Sequence, residues 1–419
     1  MQNHSAICWR KVSGALALAG LAWVAAAIVA PPAQAQTYTV LYSFKGGTTD
    51  GMNPEAGLFM DKAGDLYGTT VEGPACTPAP CTAFSGVAFK LTSTGTESVL
   101  HRFNGNPDGA NPYGGLTSTG FGTTSAGGTS NMGVVFKLGG TTGATVLYSF
   151  KGPPGDGAFP YGGLTEDSSG NLYGATSAGG ASNSGIVFKL DPATGKETVL
   201  YSFTGGADGA FPYGSLLRSS TGSLYGTTSA GGTTTGNCFP SGCGVVFQVN
   251  AAGTESVLHS FTGSPDGAYP YAGLIVDSAG NLYGTTYSGG AGACTNGCGA
   301  VFKLDATGTE SVLHSFAGYP TDGAFPYAGV VRDTAGNLYG TAAYGGASDN
   351  GVVFELNTAE TETVLYSFKG TTDGGVPRAP LILDSKGNLY GTTYSDGIAG
   401  TACGGSPEDS CGVVFKVEP

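Results

Sequence analysis

Apolar residues in this chain fall in short runs, separated by clusters of glycine, aspartate, serine and threonine. One stretch displays the pattern. Val257–Phe261 is rich in β-branched and aromatic residues, and Gly273–Val276, Asn281–Thr286 and Gly299–Leu304 follow as further runs. Asp277-Ser278-Ala279-Gly280 separates two of them, and Asp305-Ala306-Thr307-Gly308 follows the last. Asp and Ser favour turn entry and Gly supplies positive φ, so both tetrapeptides read as turns. No gap between runs carries an apolar period of 3.6 residues, so helices are not expected. The stretch reads as four short strands.

The unit repeats. Val40-Leu41-Tyr42-Ser43-Phe44 recurs at Val99–Phe103, Val146–Phe150, Val199–Phe203, Val257–Phe261, Val312–Phe316 and Val364–Phe368, at steps of 47 to 59 residues. An Asp-Gly pair follows each copy: Asp50, Asp108, Asp156, Asp208, Asp266, Asp322 and Asp373. A Pro-Tyr-rich stretch comes next, then an element like Asn281–Thr286, then one like Gly133–Leu138. Four-stranded units of this length are the pattern of β-propeller blades. The expected fold is all-β, a seven-bladed propeller formed by one domain over 36–419. Thr39–Phe44 has the pattern of a strand that ends a blade, and Gly412–Val417 that of the strand before it. Pairing them would complete the last blade and close the ring, leaving no open sheet edge. The second unit is four residues shorter at its first hairpin, Gly115–Thr124 against Gly163–Thr176. An even deletion keeps every side chain on its own face, and puts Phe121 in the place of the strand tyrosine.

Composition narrows the classes further. Glycine accounts for 75 of 419 residues and charged residues for only 11%. Interior glycine costs a helix about 1 kcal/mol relative to alanine, which excludes a long-helix protein. With 40% hydrophobic residues the chain is not expected to be disordered. Residues 1–35 read as a secretory signal peptide: Arg10 and Lys11, an apolar run from Ala15 to Val29, then small residues at Ala33 and Ala35. An uncleaved anchor is the other reading, but the run is short for a span. No further segment is apolar enough to cross a bilayer. The net charge of −13 argues against a nucleic-acid partner.

The tandem Leu-Tyr-Gly-Thr-Thr, Gly-Val-Val-Phe-Lys-Leu, Val-Leu-Tyr-Ser-Phe and Asp-Gly elements resemble the bacterial choice-of-anchor tandem repeat GloVer-containing family. The likeness covers 36–419. It implies an extracellular repeat protein, secreted or surface-attached, and no particular catalytic activity. Family members are often followed by a sorting segment. Here Glu418-Pro419 follows a strand directly, so release into the periplasm or medium is expected.

Eight cysteines remain beyond the leader, as four close pairs: Cys76/Cys81, Cys238/Cys243, Cys294/Cys298 and Cys403/Cys411. Each lies in the loop before a Gly-Val-Val-Phe-type strand. Export favours disulfides; a zinc site would need four ligands, and no pair has a histidine beside it. His101, His259 and His314 occupy the station held by tyrosine in Tyr42, Tyr148, Tyr201 and Tyr366, which suits packing better than catalysis. No Gly-x-Ser-x-Gly or His-Glu-x-x-His motif is present.

Ligand binding is expected on the face that carries the Asp-Gly and Pro-Tyr connections. The residues are Asp108, Asp156, Asp208, Asp266, Asp322, Tyr113, Tyr161, Tyr213, Tyr271 and Tyr327. Tyrosine with carboxylate suits sugar rings by stacking and hydrogen bonding. Other readings stay open. The aspartates could cap turns, line a calcium-binding mouth, or act in pairs as glycosidase acid and base; the tyrosines could simply pack between blades. The leading function is a monomeric, non-catalytic binding or scaffold module for an extracellular glycan or surface protein, with no cofactor. A carbohydrate-active enzyme and a purely structural surface protein are the alternatives.

Overall fold

The computed structural model describes residues 36–46, 50–73, 85–139, 143–234, 238, 240–396 and 411–419. Gln36–Pro419 form one compact unit. Strands of two to seven residues make up seven antiparallel blades, and no helix occurs among the described residues. Blade 1 runs from the axis outward as Phe59–Met60, Leu66–Thr70, Val87–Leu91 and Glu97–Arg102. Blades 3 to 6 repeat this order. Blade 7 takes Ile382–Leu383, Leu389–Thr392 and Val413–Glu418 from one end of the chain and Thr37–Ser43 from the other. Thr37 lies opposite Glu418 and Ser43 opposite Val413, so the expected clasp closes the ring.

Blade 2 departs from the expected four strands. It has three, Phe121–Thr124, Val134–Leu138 and Ala144–Ser149. In blade 3 the first hairpin has two rungs, Thr165 with Tyr173 and Glu166 with Leu172. The four-residue deletion removes both rungs, and a tight turn closes directly from Thr117 to Phe121. The even length preserves facing: Phe121 pairs with Lys137 as Tyr173 pairs with Lys189.

The third strand of each blade is the core. Phe89, Phe136, Phe188, Phe247, Phe302, Phe354 and Phe415 are fully buried. Each meets the phenylalanine that ends the outer strand of the preceding blade, edge to face. Phe44 meets Phe89 at 5.1 Å and Phe150 meets Phe188 at 5.1 Å, and the contact recurs at all seven seams. Such pairs add roughly 0.5–1.5 kcal/mol beyond the area they bury. They also explain one glycine station. A Cβ on Gly68 would lie 2.7 Å from Phe89 Cζ, so the second strand is bare where the ring sits.

Backbone geometry stitches the blades as well. Asn53, Asn111, Phe159, Phe211, Tyr269, Phe325 and Val376, three residues after each Asp of Asp-Gly, all have φ between 53° and 59°. Each N–H donates to a carbonyl of the preceding blade, as Phe159 to Met132 at 2.9 Å, and each carbonyl accepts from its own blade, as from Ser177 at 3.1 Å. Left-handed backbone is uncommon for such side chains and is strained for a β-branched residue. It persists because two hydrogen bonds per station hold it.

Two of the expected disulfides are formed. Cys238 and Cys243 are bonded with Cα atoms 5.2 Å apart, and Cys294 and Cys298 with Cα atoms 5.0 Å apart. Cys411 is buried and disulfide-bonded. Cys76, Cys81 and Cys403 lie outside the described residues, as does the whole of the 1–35 leader. The disulfides suit an oxidising compartment. No helix among the described residues is long and apolar enough to cross a membrane.

Candidate functional site

Every blade is entered by the same short run, which crosses from the outer strand of one blade to the axis of the ring. Its fourth residue after the aspartate is proline in all seven copies. Each proline abuts the glycine that opens the preceding third strand, as Pro112 does Gly86. That contact sets the direction of the next residue, which reaches the axis. The seven axial residues are Glu55, Tyr113, Tyr161, Tyr213, Tyr271, Tyr327 and Arg378, and together they line a cavity of about 280 Å³.

The tyrosine rings touch in sequence round the axis. Their centroids lie 4.9 Å apart for Tyr113 and Tyr161, 5.1 Å for Tyr161 and Tyr213, 5.5 Å for Tyr213 and Tyr271, and 5.8 Å for Tyr271 and Tyr327. Arg378 continues the arc, 5.1 Å from the Tyr327 centroid and 4.1 Å from that of Tyr394. Its Nη1 reaches Glu55 Oε1 at 2.8 Å, which closes the circle between blades 7 and 1. Backbone crowds the cavity wall: a Cβ on Gly162 would lie 2.6 Å from Gly214 O.

Burial raises the phenol pKa values of Tyr161, Tyr213 and Tyr271, and of Tyr113, where Glu55 adds to the effect. The ring therefore presents neutral hydroxyls, each donor and acceptor. Burial pushes Glu55 up, partly offset by Arg378. Burial opposes the Arg378 charge, but Glu55 and Tyr327 outweigh it and the guanidinium stays charged.

The aspartates are elsewhere. None of the Asp-Gly aspartates lines the axial cavity. Asp156 accepts from Tyr148 Oη at 2.8 Å, Lys151 N at 2.8 Å and Gly157 N at 2.6 Å. Asp208 accepts from Tyr201 and Thr204, Asp108 from His101 and Asn104, Asp266 from His259 and Thr262, and Asp322 from His314 and Ala317. These carboxylates cap the turn that leaves the outer strand. The expected Asp/Tyr grouping is thus resolved into two places. Both belong to one loop, but the run between them, turned at its left-handed station, leaves the aspartate at the outer strand and the tyrosine at the axis.

The histidines do the phenol's work. His101 Nδ1 accepts the Ala144 N–H at 3.2 Å, so Nε2 carries the proton and donates to Asp108 at 3.0 Å. His259, Asp266 and Glu310 bring ligating atoms within 4.8 Å of one another, as do His314, Asp322 and Glu362. Each imidazole there already holds its aspartate at 3.2 Å, as Tyr148 holds Asp156, and the arrangement needs no cation to account for it.

A larger cavity of about 720 Å³ opens between blades 1 and 2, lined by Phe59, Met60, Leu100, Leu116 and Leu138 among others. It lies where blade 2 lacks its first hairpin. Its walls are mostly apolar and gather no repeated polar group.

Sequence reasoning missed Glu55 and Arg378. The signal lies in the residue after each proline, which is Glu, five times Tyr, then Arg; the five tyrosines mask the two charged members of the series.

Comparison with solved structures finds the same architecture. Virginiamycin B lyase from Staphylococcus aureus superposes with a TM-score of 0.56 at 10% identity, over 92% of this chain and 99% of that one. Oligogalacturonate lyase from Vibrio parahaemolyticus gives 0.50 at 12% identity, over 91% and 93%. At such identity the likeness is one of fold. No curated protein matches. The model of the Gloeobacter/Verrucomicrobia repeat matches residues 26–239 and 222–404. With most of its length matched, the chain belongs to the Gloeobacter/Verrucomicrobia repeat family.

Proposed function

We propose that the protein is an exported, non-catalytic binding module whose axial mouth receives an extracellular carbohydrate. The observation that carries this reading is the convergence of seven equivalent residues on one cavity. Five of them are tyrosines with neutral hydroxyls, and the other two form a buried-side ion pair. Phenol rings offer sugars an apolar face and a hydrogen-bonding tip on the same group. The cavity's volume suits a terminal sugar rather than a long chain lying within it. Glu55 is the one carboxylate in the lining, whereas two-carboxylate glycoside hydrolysis uses a pair. That supports binding over turnover.

The test is calorimetric titration of the mature protein with neutral and acidic oligosaccharides. Changing Tyr161, Tyr213 and Tyr271 together to alanine should abolish binding while leaving the urea midpoint within the range of a surface change. Binding that survives the triple change would refute the axial site. Breakdown of any saccharide would refute the non-catalytic reading. N-terminal sequencing of exported protein should find Gln36 first, and an intact leader would count against export by cleavage.

A further inference from the structure

A second set of side chains repeats round the ring, and the axial site makes no use of it. Glu97, Glu197, Glu255, Glu310 and Glu362 stand at or near the start of the outer strands of blades 1, 3, 4, 5 and 6. Each faces the Asp-Gly aspartate delivered by the preceding blade: Asp50, Asp156, Asp208, Asp266 and Asp322 respectively. In all five, Oε1 is shut off from solvent and has no hydrogen-bond partner. One orphan acceptor would be an accident of packing. Five at one station are a property of the seam.

We propose that these five seams are proton-binding sites, at which a proton on the glutamate joins the carboxyl groups of neighbouring blades and its loss loosens the ring.

The chemistry follows from what each group can donate. An ionised carboxylate only accepts. The aspartates already accept from backbone N–H and from a phenol or imidazole. They have nothing to give the glutamate. Two acceptors then face one another across the seam, within 4.8 Å for Asp266 with Glu310 and for Asp322 with Glu362. A proton on the glutamate removes that repulsion and supplies a donor where both groups could only accept.

Surrounding charges agree. Burial first, and the facing aspartate second, push all five glutamates up to about 7. Lys45 and Arg102 oppose this at Glu97, Lys151 at Glu197, His259 at Glu310 and His314 at Glu362, and none prevails. Tyr42, Tyr148 and Tyr201 face the first three seams as neutral donors to the aspartates. Solvent has access: a cavity of about 550 Å³ between blades 2 and 3 is lined by Tyr148, Lys151, Asp156 and Glu197.

The two remaining seams show the same station without the glutamate. Ala144 stands opposite His101 and Asp108, where its N–H meets the imidazole. Tyr38 stands at the seam of blades 6 and 7, stacked on Tyr366 at 3.8 Å. Its hydroxyl donates to the Asp373 carbonyl. The ring thus tolerates a neutral residue there, and the five glutamates add a dependence on pH.

Carboxyls whose pKa is raised by folding bind protons more tightly in the native state. Their contribution therefore favours folding most at acid pH and is lost as pH rises through about 7. Half-exposed sites feel less than the full shift, so the folding equilibrium should change by roughly tenfold per site.

The experiment is urea unfolding of the mature protein from pH 5 to pH 8.5, in parallel with carbon-13 NMR of labelled glutamate side chains. The midpoint should fall across this window, and five glutamate carboxyls should titrate near neutrality. Glu197→Gln, Glu255→Gln and Glu310→Gln combined supply a permanent donor, and should raise the midpoint at pH 8 and flatten its pH dependence. Titration of all glutamates near 4.5, or a triple variant less stable at pH 8, would overturn the proposal. So would rescue of the wild type at pH 8 by millimolar calcium or zinc, since the seam would then be a cation site. None of these readouts depends on ligand binding at the axis.

Discussion

Val376 carries the sharpest test of how the blades are joined. It is the one β-branched residue among seven equivalent positions held at positive φ, with φ of 53°. Left-handed backbone costs an L-residue about 1–2 kcal/mol, and asparagine visits it readily. Two stations already carry asparagine, and both use the side chain. Asn111 Nδ2 donates to Val71 O at 3.0 Å, and Asn53 Nδ2 to Tyr394 O at 3.0 Å, each in the preceding blade. Val376→Asn should place its amide against Ala343 O, the matching carbonyl of blade 6. The gain combines relief of the backbone with one hydrogen bond, net about 0.5–1.5 kcal/mol. Against it stands the loss of a half-buried valine, up to about 1 kcal/mol. With about 1–2 kcal/mol for the backbone, about 0.5–1.5 for the hydrogen bond and up to about 1 lost with the valine, the balance is a stabilisation of roughly 0.5–3.5 kcal/mol. Asn111→Val should lose a similar amount, because it reintroduces strain and leaves Val71 O without its partner amide. Urea unfolding with disulfides intact measures both, as a shift of midpoint at constant slope. Opposite signs are required. A neutral or destabilising Val376→Asn alongside a harmless Asn111→Val would show that the inter-blade stitch does not hold this conformation.

Three further outcomes follow from the same geometry. Phe188→Ala should cost about 3–5 kcal/mol, because it empties a fully buried site and removes the seam contact with Phe150; a loss under 1 kcal/mol would contradict the core assignment. Replacing Cys238 and Cys243 together by serine should cost about 2 kcal/mol, the loop-closure value for so short a loop, read against the oxidised wild type. At Asp277 burial is outweighed by donors from Asn281, Tyr283 and Ala279, which pull the carboxyl down to about 2. Its contribution is therefore present above about pH 4 and lost as pH falls towards 2, and Asp277→Asn should reduce the acid loss measured between those limits.

Much of this was legible in the chain itself. Seven copies of Val-Leu-Tyr/His-Ser/Arg-Phe and of Asp-Gly set the blade number, because each copy is one unit that cannot bury its faces alone. The strand pattern at the two ends predicted the clasp between Thr37–Ser43 and Val413–Glu418. The even deletion in the second unit predicted unchanged facing for Phe121. Short-range order of this kind depends on turn chemistry and on a side-chain period of two, and both are local. The third dimension decided the rest. Asp208 and Tyr213 are five residues apart in one loop, yet one caps an outer strand and the other lines the axis, because the chain between them crosses from one blade to the next through the left-handed station at Phe211. Glu55 and Arg378 are 323 residues apart and form one ion pair, because ring closure sets the first blade beside the last. The orphan oxygens of the seam glutamates also belong to this class. They arise only when one blade is laid against the next, and a residue cannot reveal from its own neighbours what a different repeat will fail to offer it.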